Sequence, residues 1–198
     1  MTQRAARVIR RTNDTDITVD LNIDGHGLST AHTGVGFFDH MLSQLARNSM
    51  FDISVVGTGD LHVDAHHVVE DTAITLGQAF VKALSDKRGI TRYGAALVPL
   101  DEALVQAAVD LSGRPYAVYR MTPRDVPAMS GYESSLTPHA IESFAFHSQT
   151  SLHVHVLQAR DPHHAHEAVF KALGLALRQA CSYDRRADGI VPSTKGVL

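Results

Sequence analysis

Alternation dominates the amino-terminal part of the chain. Ile17, Val19, Leu21 and Ile23 are apolar and Thr18, Asp20 and Asn22 between them are polar, the two-residue period of a strand with one buried face. Asp24-Gly25-His26-Gly27 follows with the composition of a turn, which makes the first segment a predicted β-hairpin. Over residues 37–47 the period changes, because Phe38, Met41, Leu42 and Leu45 share one helical stripe. Residues 51–56 and 61–63 read as strand again.

Beyond Asp64, Val69, Ala73, Leu76, Phe80 and Leu84 recur at spacings of four, three, four and four, so a helix with one buried stripe is predicted and Asp64 is its expected N-cap. A second such helix starts at Asp161-Pro162-His163 with the stripe Phe170, Leu173, Leu177 and Cys181; an acidic cap followed by proline at the first helical position is a strong start signal. Between the two, residues 103–111 and 116–119 read as strands around Ser112-Gly113-Arg114-Pro115, a predicted meander. Residues 139–146 read as helix and 151–157 as strand. Each half is thus expected to run β, α, β, α, one sheet with helices on one side.

The two helix starts carry one motif twice. His66-His67-x-x-Glu70 and His163-His164-x-x-Glu167 are 97 positions apart (163 − 66), and the same shift carries Asp64 onto Asp161, Leu76 onto Leu173, Gly77 onto Gly174 and Ala83 onto Ala180. A 198-residue chain with this repeat is expected to be a single domain, residues 1–198, of two halves at about 1–93 and 94–198.

Composition narrows the chemistry. Eighteen basic and 21 acidic residues give a net charge of −3 without a block of one sign, so neither nucleic acid nor membrane is an expected partner. Cys181 is the single cysteine against thirteen histidines. A cytoplasmic location is therefore expected, since Met1-Thr2-Gln3-Arg4 leads into no apolar leader or membrane-length run, and metal ligands are expected to be imidazole and carboxylate.

On a helix, residues four apart share a face, so His66 with Glu70, and His163 with Glu167, can grip one cation each. His67 and His164 project about 100° away and must serve another. Two sites interleaved from both motifs are the natural arrangement, with His40 and His139 as completing ligands, and the positive helix start should keep these imidazoles neutral. Arg92, Arg114 and Lys195, with Ser193 and Thr194, are candidates for holding a phosphate. A two-metal phosphoesterase fits these residues, and a noncatalytic metal-binding assembly accounts for the metal ligands but not for the phosphate-binding tail.

The segments Phe37-Phe38-Asp39-His40-Met41-Leu42, Asp64-Ala65-His66-His67-Val68-Val69-Glu70-Asp71, Asp110-Leu111-Ser112-Gly113-Arg114-Pro115, Asp161-Pro162-His163-His164-Ala165-His166-Glu167-Ala168 and Pro192-Ser193-Thr194-Lys195-Gly196-Val197-Leu198 resemble the imidazoleglycerol-phosphate dehydratase family of histidine biosynthesis. The resemblance implies an α+β fold of the ribosomal protein S5 domain 2-like kind: an internally duplicated half, each a mostly antiparallel sheet with helices on one face. It implies loss of water from imidazole glycerol phosphate, a small-molecule substrate, to give imidazole acetol phosphate through a metal-bound imidazolate and a diazafulvene-type intermediate. Two Mn(2+) per active site are implied, held by His40, His66, His67, Glu70, His139, His163, His164 and Glu167. Asp14, Arg92, Arg114, Ser193, Thr194 and Lys195 would hold the substrate, Asp14 and Glu167 would move protons, and the assembly would be a homo-oligomer of twenty-four subunits with active sites between chains. Asp14 stands where the family usually has glutamate, one methylene shorter, and a 1 Å misplacement is worth about a hundredfold in rate.

Overall fold

A computed structural model describes residues 4–123, 126, 127 and 129–198, which leaves Met1, Thr2 and Gln3 outside. The first half runs β1 (Ala5–Arg11), β2 (Thr15–Asn22), β3 (Ser29–His32), α1 (Gly36–Ser49), β4 (Asp52–Gly59) and α2 (His66–Leu84). The second repeats it as β5 (Tyr93–Leu100), β6 (Ala103–Asp110), β7 (Tyr116–Met121), α3 (Leu136–Ser148), β8 (Ser151–Gln158) and α4 (Pro162–Cys181). The sheets have the same order, β1-β2-β4-β3 and β5-β6-β8-β7, and in each the last pairing is parallel and the other two antiparallel. This is the expected duplicated α+β fold.

Several local expectations fail for identifiable reasons. The hairpin is β1–β2, closed at Thr12–Asp14 where Thr15 O accepts from Thr12 N at 2.9 Å; the Asp24–Gly27 turn instead leads to β3, which runs parallel to β4. Residues 61–63 form a turn, closed by Val63 N donating to Asp60 O at 2.7 Å. No meander forms in the middle, because β8 inserts between β6 and β7. β1, β3 and β5 escaped the periodicity: β5 mixes Gly94, Ala95, Ala96 and Pro99 into a pattern with little contrast, and β3 has only four residues.

Alternate residues of β2 (Ile17, Val19, Leu21) and of β6 (Val105, Ala107, Val109) are buried, as are both predicted helical stripes. Burying a side chain of this size is worth roughly 1.5–3 kcal/mol, so register and helix rotation are strongly specified. The halves join through their helices: α2 packs on α3 and α4 on α1. At those crossings stand the repeat partners Gly77 and Gly174. A methyl group on Gly77 would meet the Ser148 backbone N at 2.9 Å, and one on Gly174 would meet Asn48 Cβ at 2.8 Å. The joint therefore needs a missing side chain in each half, and it brings the starts of α1 and α4, and of α2 and α3, together. Among the described residues no helix is long and apolar enough to cross a membrane.

Candidate metal centre

Two clusters form at these paired helix starts. In one, His40 of α1 and His163 of α4 each place Nε2 3.1 Å from Glu167 Oε2. In the other, His66 Nε2 lies 3.9 Å from Glu70 Oε2, His139 Nε2 lies 3.4 Å from Glu70 Oε1, and the His66 and His139 rings stack at 4.4 Å. Within each trio the ligand atoms all fall within 4.8 Å of one another. Within one chain each cluster takes a His and a Glu from one half and its third ligand, His40 or His139, from the other, and the two motifs do not meet.

The donors fit a divalent cation. Imidazole nitrogens and a carboxylate oxygen suit Mn, Fe, Zn or Co. His139 Nε2 is buried and has no hydrogen-bond partner among the described residues, the condition of a ligand atom spaced around a common ion, since an orphaned buried nitrogen otherwise costs free energy. Around Glu167, burial works to raise its pKa, but the 2.7 Å ion pair with Lys171 and the bonds from His40 and His163 prevail and lower it to about 2. It is ionised and a poor store for a proton.

Local capping sets the motif in place. Asp161 accepts from His163 N at 2.7 Å and from His164 N at 3.2 Å, the predicted N-cap with Pro162 behind it. Asp64 accepts from His66 N at 2.7 Å, but Ala65 intervenes in a helical conformation, so Asp64 caps from one residue further out than expected. Phe37 packs edge-on to His163 at 5.1 Å and against Tyr132 at 4.9 Å, forming an apolar wall. A cleft of about 360 Å³ lined by Asp64, His66, Tyr132 and Glu133 opens beside the second cluster.

His67 and His164 lie outside both trios. Nδ1 of His67 is 2.9 Å from Asp60 Oδ2, and Nδ1 of His164 is 2.9 Å from Glu102 Oε2. Those hydrogen bonds raise the pKa of both histidines, against the effect of the helix start. Glu102 is correspondingly lowered to about 2 by His164 and by backbone donors. Asp14 is exposed beside His67, and its carboxylate makes no hydrogen bond among the described residues. Asp71, buried one residue beyond the motif, anchors this corner through Arg10 at 2.7 Å and through the Thr15 hydroxyl.

The anion-binding candidates gather elsewhere. Arg92 donates through Nε to Asp110 at 2.7 Å and through Nη1 to Pro192 O at 2.8 Å, which ties down the tail carrying Ser193, Thr194 and Lys195. Arg114 stands on the Ser112–Gly113 turn, whose glycine is close to Leu198. Arg92 N also bonds Ala180 O in the last turn of α4, whereas His163 and Glu167 occupy its first. At 1.5 Å per residue these ends are roughly 25 Å apart. One chain therefore does not bring its own candidate metal ligands and phosphate ligands together.

The sequence reading did not single out Asp60, Glu102, Asp71, Asp110, Lys171 or Lys87. Lys87 is buried beside Arg92, its amine 3.4 Å from Leu111 O and its pKa lowered by that burial. The available signals were acids placed just before or after a strand, Gly59-Asp60 and Asp101-Glu102, and a carboxylate within a predicted helix directly after the motif, Asp71. His166, read as packing, is buried against Phe37 and Tyr132, and burial lowers its pKa to about 4.

Fold and clusters define an internally duplicated α+β protein with paired candidate sites for divalent cations. The imidazoleglycerol-phosphate dehydratase family model matches residues 33–177. The enzyme of that name from Streptomyces griseus subsp. griseus is 51% identical over 198 residues, covering 100% of both chains. The one from Frankia casuarinae is 54% identical over 195 residues, 98% of this chain and 99% of the other. Among solved structures, IGPD from Pyrococcus furiosus in complex with (S)-C348 superposes with a TM-score of 0.83 at 36% identity, covering 96% of this chain and 100% of that one. The Staphylococcus aureus dehydratase gives 0.81 at 28%, covering 91% and 99%. The chain belongs to the imidazoleglycerol-phosphate dehydratase family. It is a hydro-lyase of histidine biosynthesis, which decides for dehydration over phosphoester hydrolysis and over a noncatalytic assembly.

Proposed function

We propose that the active site is composite: the metal ligands of one chain work with the anion-binding arginines and tail of a neighbour. The substrate is imidazole glycerol phosphate and the product imidazole acetol phosphate. Two Mn(2+) per site are held by His40, His66, His67, Glu70, His139, His163, His164 and Glu167, in a cytoplasmic homo-oligomer of twenty-four subunits whose chains are single domains of two halves. The observation that carries this reading is the span of α4, with ligands at one end and Arg92 with its tethered tail at the other.

Each group then has a task set by its surroundings. Arg92, already oriented by Asp110, and Arg114, Ser193, Thr194 and Lys195 bind the phosphate and fix the distance of the reacting carbons from the clusters. Divalent ions bound at the clusters supply Lewis acidity toward the substrate's imidazole. Asp14, whose carboxylate is uncommitted, takes the proton from the carbon next to the one that loses its hydroxyl; that proton and the departing hydroxide leave as water, and the enol left behind passes its hydroxyl proton to carbon to become the ketone. Glu167 is better suited to ligation than to proton transfer, because Lys171, His40 and His163 keep it ionised.

Mixing two inactive variants tests the composite site. Lys195→Ala and Glu167→Gln chains, stripped of metal with chelator, mixed and reloaded with Mn(2+), should recover turnover that neither shows alone, because some sites draw the intact residue from each. No recovery in mixed assemblies confirmed by mass would refute the arrangement.

A further inference from the structure

Asp60 and Glu102 make the same bond from unrelated positions. The histidines they hold are repeat partners, 97 apart (164 − 67), and both Nδ1···O distances are 2.9 Å. The carboxylates are not partners. Asp60 directly follows β4, and the position that directly follows β8 is Ala159. Glu102 directly precedes β6, and the position that directly precedes β2 is Asp14. Each half has therefore built an Nδ1–carboxylate bond with a different residue, so what the halves share is the bond and not an inherited acid.

An ionised carboxylate only accepts, so Nδ1 must be the donor and carries the proton. In the neutral ring, the form that can bind a cation, that leaves Nε2 as a bare lone pair, and it also fixes the ring plane. Both acids are more enclosed than the rings they orient: side-chain exposure is 16% for Asp60 and 23% for Glu102, against 42% for His67 and 33% for His164. The carboxylates are thus built into the fold while the Nε2 edges face outward. Neither Nε2 makes a hydrogen bond among the described residues, the nearest acid being Asp101 at 3.9 Å from that of His164.

We infer that Asp60 and Glu102 are positioning residues, which hold His67 and His164 in the Nδ1–H tautomer and present each Nε2 to a divalent cation bound by a neighbouring chain. This rests on the composite site proposed above. It also accounts for the free carboxylate of Asp14: in the second half the acid before the strand is spent on His164, whereas in the first half Asp60 has taken over that task and released Asp14 for substrate.

The test is Mn(2+) calorimetry on chelator-stripped full-length protein, with nitrogen-15 histidine spectra to read the tautomer. Asp60 is the cleaner target, since Glu102 also accepts from the backbone of Arg160 and Asp161 at the start of α4. Asp60→Ala should weaken Mn(2+) binding about 10- to 100-fold, the usual effect of removing an outer carboxylate, and shift the His67 signal toward the Nε2–H form. Asp60→Asn, whose amide oxygen still accepts, should recover most of both, which a merely structural role would not do. If His67→Ala loses affinity while Asp60→Ala stays within twofold and keeps its tautomer, the inference is wrong although the ligand reading survives. If His67→Ala itself binds Mn(2+) normally, the ligand reading falls and this inference with it.

Discussion

His40 and Glu167, 127 positions apart in the chain, meet at 3.1 Å across the joint of α1 and α4. Their counterparts His139 and Glu70 meet at 3.4 Å across the joint of α3 and α2. The duplication thus generates two clusters by crossing halves, so neither half could hold a complete cluster if expressed alone.

Removing one carboxylate should cost one ion. Glu70→Gln and Glu167→Gln are each expected to lower bound Mn(2+) by about one per chain as read by elemental analysis, and the double variant to bind almost none. A single variant with full metal content would show that its cluster is not a metal site.

The glycine crossings predict a stability effect without any chemistry. Gly77→Ala and Gly174→Ala push a methyl group to 2.9 and 2.8 Å from neighbouring atoms of α3 and α1. Each should destabilise by about 1–3 kcal/mol through overpacking, measured as a lowered thermal midpoint. Because the clusters sit at the same helix joints, metal affinity should fall as well.

Acid sensitivity has an identifiable contributor in Asp24. Its hydrogen bonds from Arg4 hold its pKa below the ordinary 3.8, and Arg4 in turn donates to Cys181 O at 2.6 Å, tying the first half to the end of α4. A depressed carboxylate adds stability that is fully present above pH 3.8 and is lost as pH falls through the lower folded value. Solvent screening keeps this to at most about 1 kcal/mol. Asp24→Asn should lower the melting temperature at pH 7 by about 2–4 °C and narrow the gap to wild type at pH 3.

Cys181 should be silent toward thiol reagents. It is buried in the last turn of α4, and burial pushes its pKa up to about 12, so at pH 8 only about one thiol in ten thousand is thiolate. Labelling is expected only after guanidinium unfolding; prompt labelling of the native protein would contradict this packing.

The helices and the central strands were legible in the sequence because their largest apolar side chains recur with one period, although α2 and α4 are buried over most of their surface between a sheet and a neighbouring helix. Val69 to Leu84 and Phe170 to Cys181 keep one stripe, and Ile17 to Leu21 keep one face. β5 was not, since Gly94 and Ala95-Ala96 carry little contrast, and neither was the parallel placement of β3 and β7, which depends on long-range pairing that local period does not encode. All eight proposed metal ligands were readable from the motif copies and the resemblance. Their orienting acids were not: Asp60 and Glu102 occupy non-equivalent positions, so the 97-residue register that exposes the histidines hides their partners.

The length of α4 has a consequence for how the protein behaves when scarce. A solitary chain owns two partial centres at opposite ends and no complete one, so under the composite reading specific activity should decline on dilution while circular dichroism stays constant. The rate would then rise faster than linearly with enzyme concentration until every chain has found its neighbours.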